Sequence, residues 1–227
     1  MGLKTRIIPV LQWDGIQAVK TTQFRRPPRP VGSMMQHVMN MQRRDIDELI
    51  ILDINATRDN REPAYNKIEE YARELYCPLT VGGGVSKIEH IKNLLNSGAD
   101  KVAIKTATRI IPEAVEKFGA QCIVKVIDAG DNKYEGDIPN AGEVLATSIS
   151  YEGMKNGYNL KLIKALKLIG YKCPIIINGG CGTPEHMLEA IQAGAHAVAA
   201  SSMFLFTAFT PKDCSRYLHE HGIQVRL

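Results

Sequence analysis

Short apolar runs of strand length alternate with amphipathic stretches of helical length along almost the whole chain. The runs Arg6–Leu11 (RIIPVL), Glu48–Asp53 (ELIILD), Pro78–Val81, Val102–Ile104, Cys122–Asp128 (CIVKVID), Glu143–Ser148, Pro174–Asn178 and Ala197–Ser201 read as strands. Between them, apolar residues recurring at helical spacing predict helices over Met34–Arg44, Tyr65–Leu75, the stretch after Ser86, Pro112–Phe118, Leu160–Leu168 and the stretch after Thr183. A last helix is expected over Pro211–His221, N-capped by Thr210. Pro9 inside the first run is tolerable only where its missing N–H is not needed.

The pattern also repeats. Leu79–Thr106 (LTVGGGVSKIEHIKNLLNSGADKVAIKT) returns ninety-six residues later as Ile175–Ser202 (IIINGGCGTPEHMLEAIQAGAHAVAASS), and the two copies align without a gap. Gly83/Gly179, Gly84/Gly180, Glu89/Glu185, His90/His186, Gly98/Gly194 and Ala99/Ala195 coincide, which marks an internal duplication. Each copy reads as strand, glycine loop, helix, strand, with Ser86 and Glu89 expected as a capping box and Thr183 before Pro184 as the equivalent start. Parallel strands joined by right-handed helical crossovers follow. Eight strands with a half-repeat favour a closed (β/α)8 TIM barrel, spanning residues 1–227 as one domain, over an open doubly wound sheet. Its site is expected at the C-terminal strand ends. Glycines there let backbone N–H groups approach an anion, so two such loops imply two anion sites and a ligand with a phosphate at each end. A glycine loop is also a common tight turn, so one alone would be a weak signal.

Two stretches depart from the alternation. Fourteen residues between Asp128 and Glu143 show no helical periodicity where a barrel places a crossover helix. Extended, they would reach ~45 Å, ample for the return, so a shortened crossover closes the barrel and leaves an uncovered patch of wall. The segment from Gln12 to Ser33 is rich in proline and arginine, cannot be a helix and is too long for a simple turn. A mobile active-site flap and a solvated linker are both open. Its place after a strand, where Lys20, Arg25, Arg26 and Arg29 could meet an anionic ligand, favours the flap.

Composition narrows the classes. The chain has 227 residues, 44% hydrophobic and 23% charged, with a net charge of +4. That mild excess suits a phosphorylated ligand but not the concentrated basic face of a nucleic-acid binder. Cys77, Cys122, Cys173, Cys181 and Cys214 are scattered and odd in number, reading as reduced core thiols rather than a disulfide framework or zinc knuckle. No secretory signal or run of membrane length appears, so a cytoplasmic protein without membrane contact is the default expectation.

DELIILDINAT, PLTVGGGV, GADKVAIKTA, EGMKNGYN, IINGGCG, AGAHAVAASS and the terminal HGIQVRL together resemble the HisF family, the cyclase subunit of imidazole glycerol phosphate synthase, over nearly the whole chain. Single motifs are shared with the sister isomerase of histidine biosynthesis. The resemblance implies one phosphate near Gly84, Lys105 and Thr106, and the other near Glu152, Gly153, Gly180, Ala200 and Ser201. It implies a substrate-contacting loop lysine, Lys20, and no cofactor or metal. It further implies a glutaminase partner, HisH-like, at the N-terminal face, with ammonia passing a charged gate matched by Arg6, Glu48, Lys101 and Glu143. Each of these stands at a strand start, where an inward charge is costly to bury unpaired; a structural salt-bridge ring is the alternative.

The departures from the family concern chemistry. Its catalytic aspartate after the fifth strand is matched by Asp128, but the one after the first is replaced by Gln12, whose amide cannot exchange a proton usefully near neutrality. Asp53, ending the second strand, is a further candidate, and Asp14 a possible substitute base. Glu152 stands where the family has Asp, Met154 where it has a small hydroxyl residue, and Lys105 where it has Asn. This resembles a HisF-like branch associated with surface-polysaccharide genes, implying ammonia delivery for an acetamidino group on a nonulosonic or related sugar. A true cyclase and a silent glutaminase-activating scaffold stay open beside that reading. His90 and His186 read as surface residues, because no ligand-spaced partner accompanies either, and His219 and His221 as favourable charges at a helix C-terminus. Trp13 packs either the flap or the barrel mouth.

Overall fold

A computed structural model describes residues 4–130, 140–170 and 173–227. The first apolar run forms β1 (Arg6–Trp13), longer than expected because Gln12 and Trp13 continue the ladder as partners of Leu52 and Asp53. Pro9 is accommodated in it as the partner of Ala200. The chain then makes a hairpin of β2 (Ala18–Lys20) and β3 (Arg29–Gly32), antiparallel to each other and added antiparallel to the top of β1. The remaining elements are α1 (Met34–Arg43), β4 (Leu49–Asp53), α2 (Tyr65–Ala72), β5 (Leu79–Gly82), α3 (Ile88–Asn96), β6 (Lys101–Ile104), α4 (Ile111–Phe118), β7 (Ile123–Ala129), β8 (Glu143–Ser148), α5 (Leu160–Leu168), β9 (Ile175–Asn178), α6 (Pro184–Gln192), β10 (Ala197–Ala200), α7 (Ser202–Phe206) and α8 (Pro211–Glu220).

Eight parallel strands, β1 and β4 to β10 in sequence order, close on themselves through the pairing of β10 with β1, Arg6 opposite Ala197. The fold is a (β/α)8 barrel. Alternation along each strand divides the apolar residues between two cores. Ile8, Val10, Ile50, Val124, Val126, Leu145 and Ile176 fill the barrel, whereas Ile7, Leu11, Ile51, Ile104, Ile127 and Val198 lie under the helices. Full burial of such a side chain contributes about 1.5–3 kcal/mol, so the two-faced strands hold the scaffold on which the strand ends are positioned. No described helix is long and apolar enough to cross a membrane.

Residues 131–139 of the shortened crossover lie outside the described residues. The strands on either side pair in parallel from Val124 opposite Glu143 to Ala129 opposite Ser148, so residues 130–142 make the connection. The expectation of a bare wall falls on this segment, so only its flanks among the described residues bear on it. Outward-facing Ile127, Ala129 and Ala146 are all buried, as is Lys125, whose ammonium donates to the Lys105 carbonyl at 3.0 Å.

The helix starts divide. Thr210 forms a full capping box on α8: its hydroxyl accepts from the Asp213 N–H at 3.2 Å, and Asp213 accepts from the Thr210 N–H at 2.9 Å. The box expected of Ser86 and Glu89 is absent, because α3 starts later with Lys87 as an uncapped N-cap, and Thr183 likewise makes no capping bond.

Candidate active site

The C-terminal strand ends bring most of the expected site residues together, in two places of different character. The first glycine loop follows β5. Gly83 has φ 114° and Gly84 φ 72°, and a Cβ on Gly83 would stand 2.4 Å from the Asp53 carbonyl oxygen, so only glycine fits that turn. The loop opens into a cavity of about 450 Å³ shared with Asp53, Lys105, Thr106, Asp128, Thr147 and the flap residues Thr21, Phe24 and Arg26. Gly84, Lys105 and Thr106 therefore share one cavity.

The second loop follows β9. Gly180 has φ 102°, and a Cβ there would meet the Gly157 carbonyl oxygen at 2.0 Å. Glu152, Gly153, Gly180, Ala200 and Ser201 line one crevice with Gln12 and Lys20, but it encloses only about 20 Å³. Glu152 is buried in its wall, 2% exposed. Its carboxylate pairs with Lys20 and accepts from Gln12 Nε2 at 3.1 Å, the Thr21 hydroxyl at 2.9 Å and the Phe24 N–H at 3.3 Å. Burial pulls the Lys20 pKa below its ordinary value even though Glu152 opposes that shift.

The Gln12–Ser33 segment is thus a hairpin latched shut rather than a linker. Gln23 and Phe24 adopt left-handed backbones at φ 55° and 52°, held by the Gln23 N–H to the Glu152 carbonyl at 2.8 Å and Gln23 Nε2 to the Ser150 carbonyl at 2.9 Å. Of its cations, Lys20 and Arg26 face the site, whereas Arg29 stacks over Phe206, 5.7 Å from the ring centre.

The candidate catalytic carboxylates are engaged. Asp128 pairs with Lys105. Asp53 accepts from Arg61 at 2.9 and 3.1 Å and from the N–H groups of Asn55 and Ala56, which makes it the anchor of its own turn. Arg61 carried no signal in the sequence, since nothing periodic ties a loop arginine to a strand-end aspartate. Asp14 caps a turn, accepting from the Ile16 and Gln17 N–H groups at 2.9 Å.

At the opposite end, Arg6, Glu48, Lys101 and Glu143 form a closed ring of alternating charge. Arg6 donates to Glu48 at 2.6 Å and pairs with Glu143, while Lys101 reaches Glu48 at 3.0 Å and Glu143 at 2.8 Å. Thr80 donates a further bond to Glu48 at 2.8 Å. Burial opposes both charged forms. The two carboxylates nevertheless hold the Arg6 pKa above its ordinary value, and Lys101 with Arg6 holds that of Glu143 below its own.

Three expectations are corrected. His90 is buried, not on the surface: its Nδ1 lies 3.3 Å from the Ser86 N–H and 3.1 Å from the Gly84 carbonyl, and His186 Nδ1 accepts from the Gly182 N–H at 3.2 Å. The duplicated histidines brace the duplicated glycine loops. The Trp13 ring packs against the outer wall rather than filling the barrel mouth, edge-on to Tyr71 of α2 with ring centres 6.0 Å apart, while its backbone pairs with Ala18 of the flap. Of the five free thiols, only Cys181 and Cys214 are buried; desolvation pushes Cys77 up to about 11 and Cys181 to about 12, which leaves them protonated.

A closed barrel whose halves repeat one strand, glycine loop, helix, strand unit, with polar groups converging at its C-terminal end, defines a half-repeat (β/α)8 barrel. The sequence pattern of the histidine biosynthesis protein family matches residues 6–138 and 134–210. A Campylobacter jejuni (subsp. jejuni serotype O:2) protein provisionally named imidazole glycerol phosphate synthase subunit hisF2 is 38% identical over 249 aligned positions, covering 99% of each chain. The chain belongs to the HisF family, as a cyclase-type barrel subunit of the imidazole glycerol phosphate synthase group. The aligned length exceeds the 227 residues of this chain, and the two family matches meet at residues 134–138. The family pattern therefore breaks in the short crossover between β7 and β8.

Proposed function

We propose that the chain is the ammonia-channelling barrel subunit of a glutamine-dependent complex that supplies ammonia for acetamidino or amidino modification of a surface-polysaccharide sugar. The observation that carries this reading is the contrast between the two barrel ends. The ring of Arg6, Glu48, Lys101 and Glu143 is complete, while at the other end Gln12 replaces a proton-transferring group and Asp128 is tied to Lys105. In this reading the ring is the gate, and the apolar interior above it admits neutral ammonia while excluding ammonium, whose burial unpaired is costly. Gly84, Lys105 and Thr106 hold the anionic end of a small ligand, and Asp128 serves as the one remaining acid or base. Residues 1–227 act as one barrel domain in the cytoplasm.

A HisH-like glutaminase docks on the N-terminal face. That face presents Tyr76, 90% exposed, beside a hollow of about 370 Å³ lined by Lys4, Gln42, Asp45 and Arg226. An exposed tyrosine with polar neighbours is the usual composition of an interface anchor. The cyclase of histidine biosynthesis is the second reading, favoured by Asp128, Lys105 and Thr106 sharing the large cavity.

The test is glutamine hydrolysis by a HisH-like glutaminase from the same organism, with and without the chain. Adding the chain is expected to raise the rate at least about tenfold, ~1.4 kcal/mol of barrier. Tyr76→Ala is expected to weaken the complex about thirtyfold, as loss of a ~2 kcal/mol anchor would. No stimulation by the wild-type chain would refute the proposal.

A further inference from the structure

The two glycine loops descend from one duplicated unit and share their left-handed backbones, yet one faces about 450 Å³ and the other about 20 Å³, room for about one water. The difference is a side chain. Glu152 projects into the second crevice and collects the donors an anion would take there: the Lys20 ammonium, the Gln12 amide, the Thr21 hydroxyl and the Phe24 N–H. The Ser201 hydroxyl at the same crevice has no hydrogen-bond partner among the described residues, which leaves it free to bind a single solvent molecule.

We propose that the Glu152 carboxylate is a built-in anion that fills the second anion subsite, so that the site takes a small molecule with one anionic end, a sugar monophosphate in class, and not one phosphorylated at both ends. The charge balance supports this. Among the residues lining the crevice Lys20 is the one cation, and Lys20 and Glu152 are 7% and 3% exposed at their side chains. A phosphate entering would share one ammonium with a carboxylate in a dry site, where like charges repel far more strongly than in water. Steric closure acts in the same direction. A Cβ on Gly153 would stand 2.6 Å from the Thr21 carbonyl oxygen, so the flap lies directly on the Glu152–Gly153 backbone. The first cavity has a different balance: its two carboxylates are matched, Asp53 by Arg61 and Asp128 by Lys105, and Arg26 and Arg58 line it as well, their own partners Asn55 and Asp59 lying outside the lining.

The inference deepens the proposed function by naming the ligand class of the same site, and it does not depend on ammonia delivery. The test is titration of inorganic phosphate into the full chain by equilibrium dialysis. Wild type is expected to bind one equivalent and Glu152→Ala two, as the freed donors receive phosphate; Lys20→Met combined with Glu152→Ala is expected to return to one. Two equivalents or none in wild type would overturn the proposal, as would one equivalent in a Glu152→Ala chain with native circular dichroism. Should that variant not fold, wild type decides alone: ribose 5-phosphate and ribulose 1,5-bisphosphate are expected to bind within tenfold of each other, and a greater advantage for the bisphosphate overturns it. Glutaminase stimulation is read separately, so failure here leaves that result standing.

Discussion

Given ammonia and the phosphorylated ribulosyl substrate of the histidine pathway, the purified chain is expected to make imidazole glycerol phosphate at least ~10²-fold more slowly than a histidine-pathway cyclase. Positioned acid–base groups contribute about 10²–10⁴ in rate, and one member of the pair is an amide here. Gln12 is also engaged: its Nε2 donates to Glu152 at 3.1 Å, and its Oε1 accepts from the Thr21 N–H at 3.1 Å. Gln12→Asp alone is not expected to restore the rate. It would set a second carboxylate against buried Glu152, and like charges at that range drive one of the two to stay protonated. Asp128 would remain paired with Lys105. Product formation at the histidine enzyme's rate, measured with ammonia in place of a glutaminase, would return the chain to the cyclase reading.

The scaffold was legible because its strands are apolar runs and its helices keep one apolar face, both local signals. The α8 start was legible too, since Thr210 and Asp213 stand at capping-box spacing with proline between them. Ser86 and Glu89 have the same spacing and fail, because the Ser86 N–H points at the His90 ring instead. That ring's burial had a visible sign: His90 lies four residues before Leu94, on the buried face of α3. The hairpin was hidden because β2 and β3 are three and four residues long and set among prolines and arginines, too short for an alternation to show.

The Glu152 network was invisible for a different reason. Its donors come from residues 12 to 24 and its acceptor from residue 152, and no local pattern reports which of several loop cations a distant carboxylate will meet. The replacement of Asp by Glu and of a catalytic Asp by Gln read in the sequence as two separate departures. In the folded chain they are one change, since the longer carboxylate reaches the amide that replaced its like-charged neighbour.

Glu48→Ala is expected to cost about 3 kcal/mol of stability and, for a chain of this size, to lower Tm by ~6–12 °C. Glu48 is 1% exposed and is the acceptor for Arg6, Lys101 and Thr80 together. Its removal leaves two cations facing each other with Glu143 alone between them. The loss falls at the low end for a broken buried pair because Arg6 keeps 26% exposure and water can partly screen it. The exposed Lys117–Glu113 pair on α4 supplies the contrast: Glu113→Ala is expected to cost under ~0.5 kcal/mol. Acid should weaken the wild-type ring in the same sense. The Glu143 pKa is lower folded than unfolded, so the unfolded chain binds more protons as pH falls. Its contribution is therefore complete above the ordinary carboxylate range and is lost as pH drops through the lowered folded value. Calorimetry of both variants across that range measures each effect. A Glu48→Ala chain melting within 2 °C of wild type would mean that the ring does not hold the barrel floor. A ring that loose could not close a passage either, and the ammonia gate would lose its physical basis together with the stability argument.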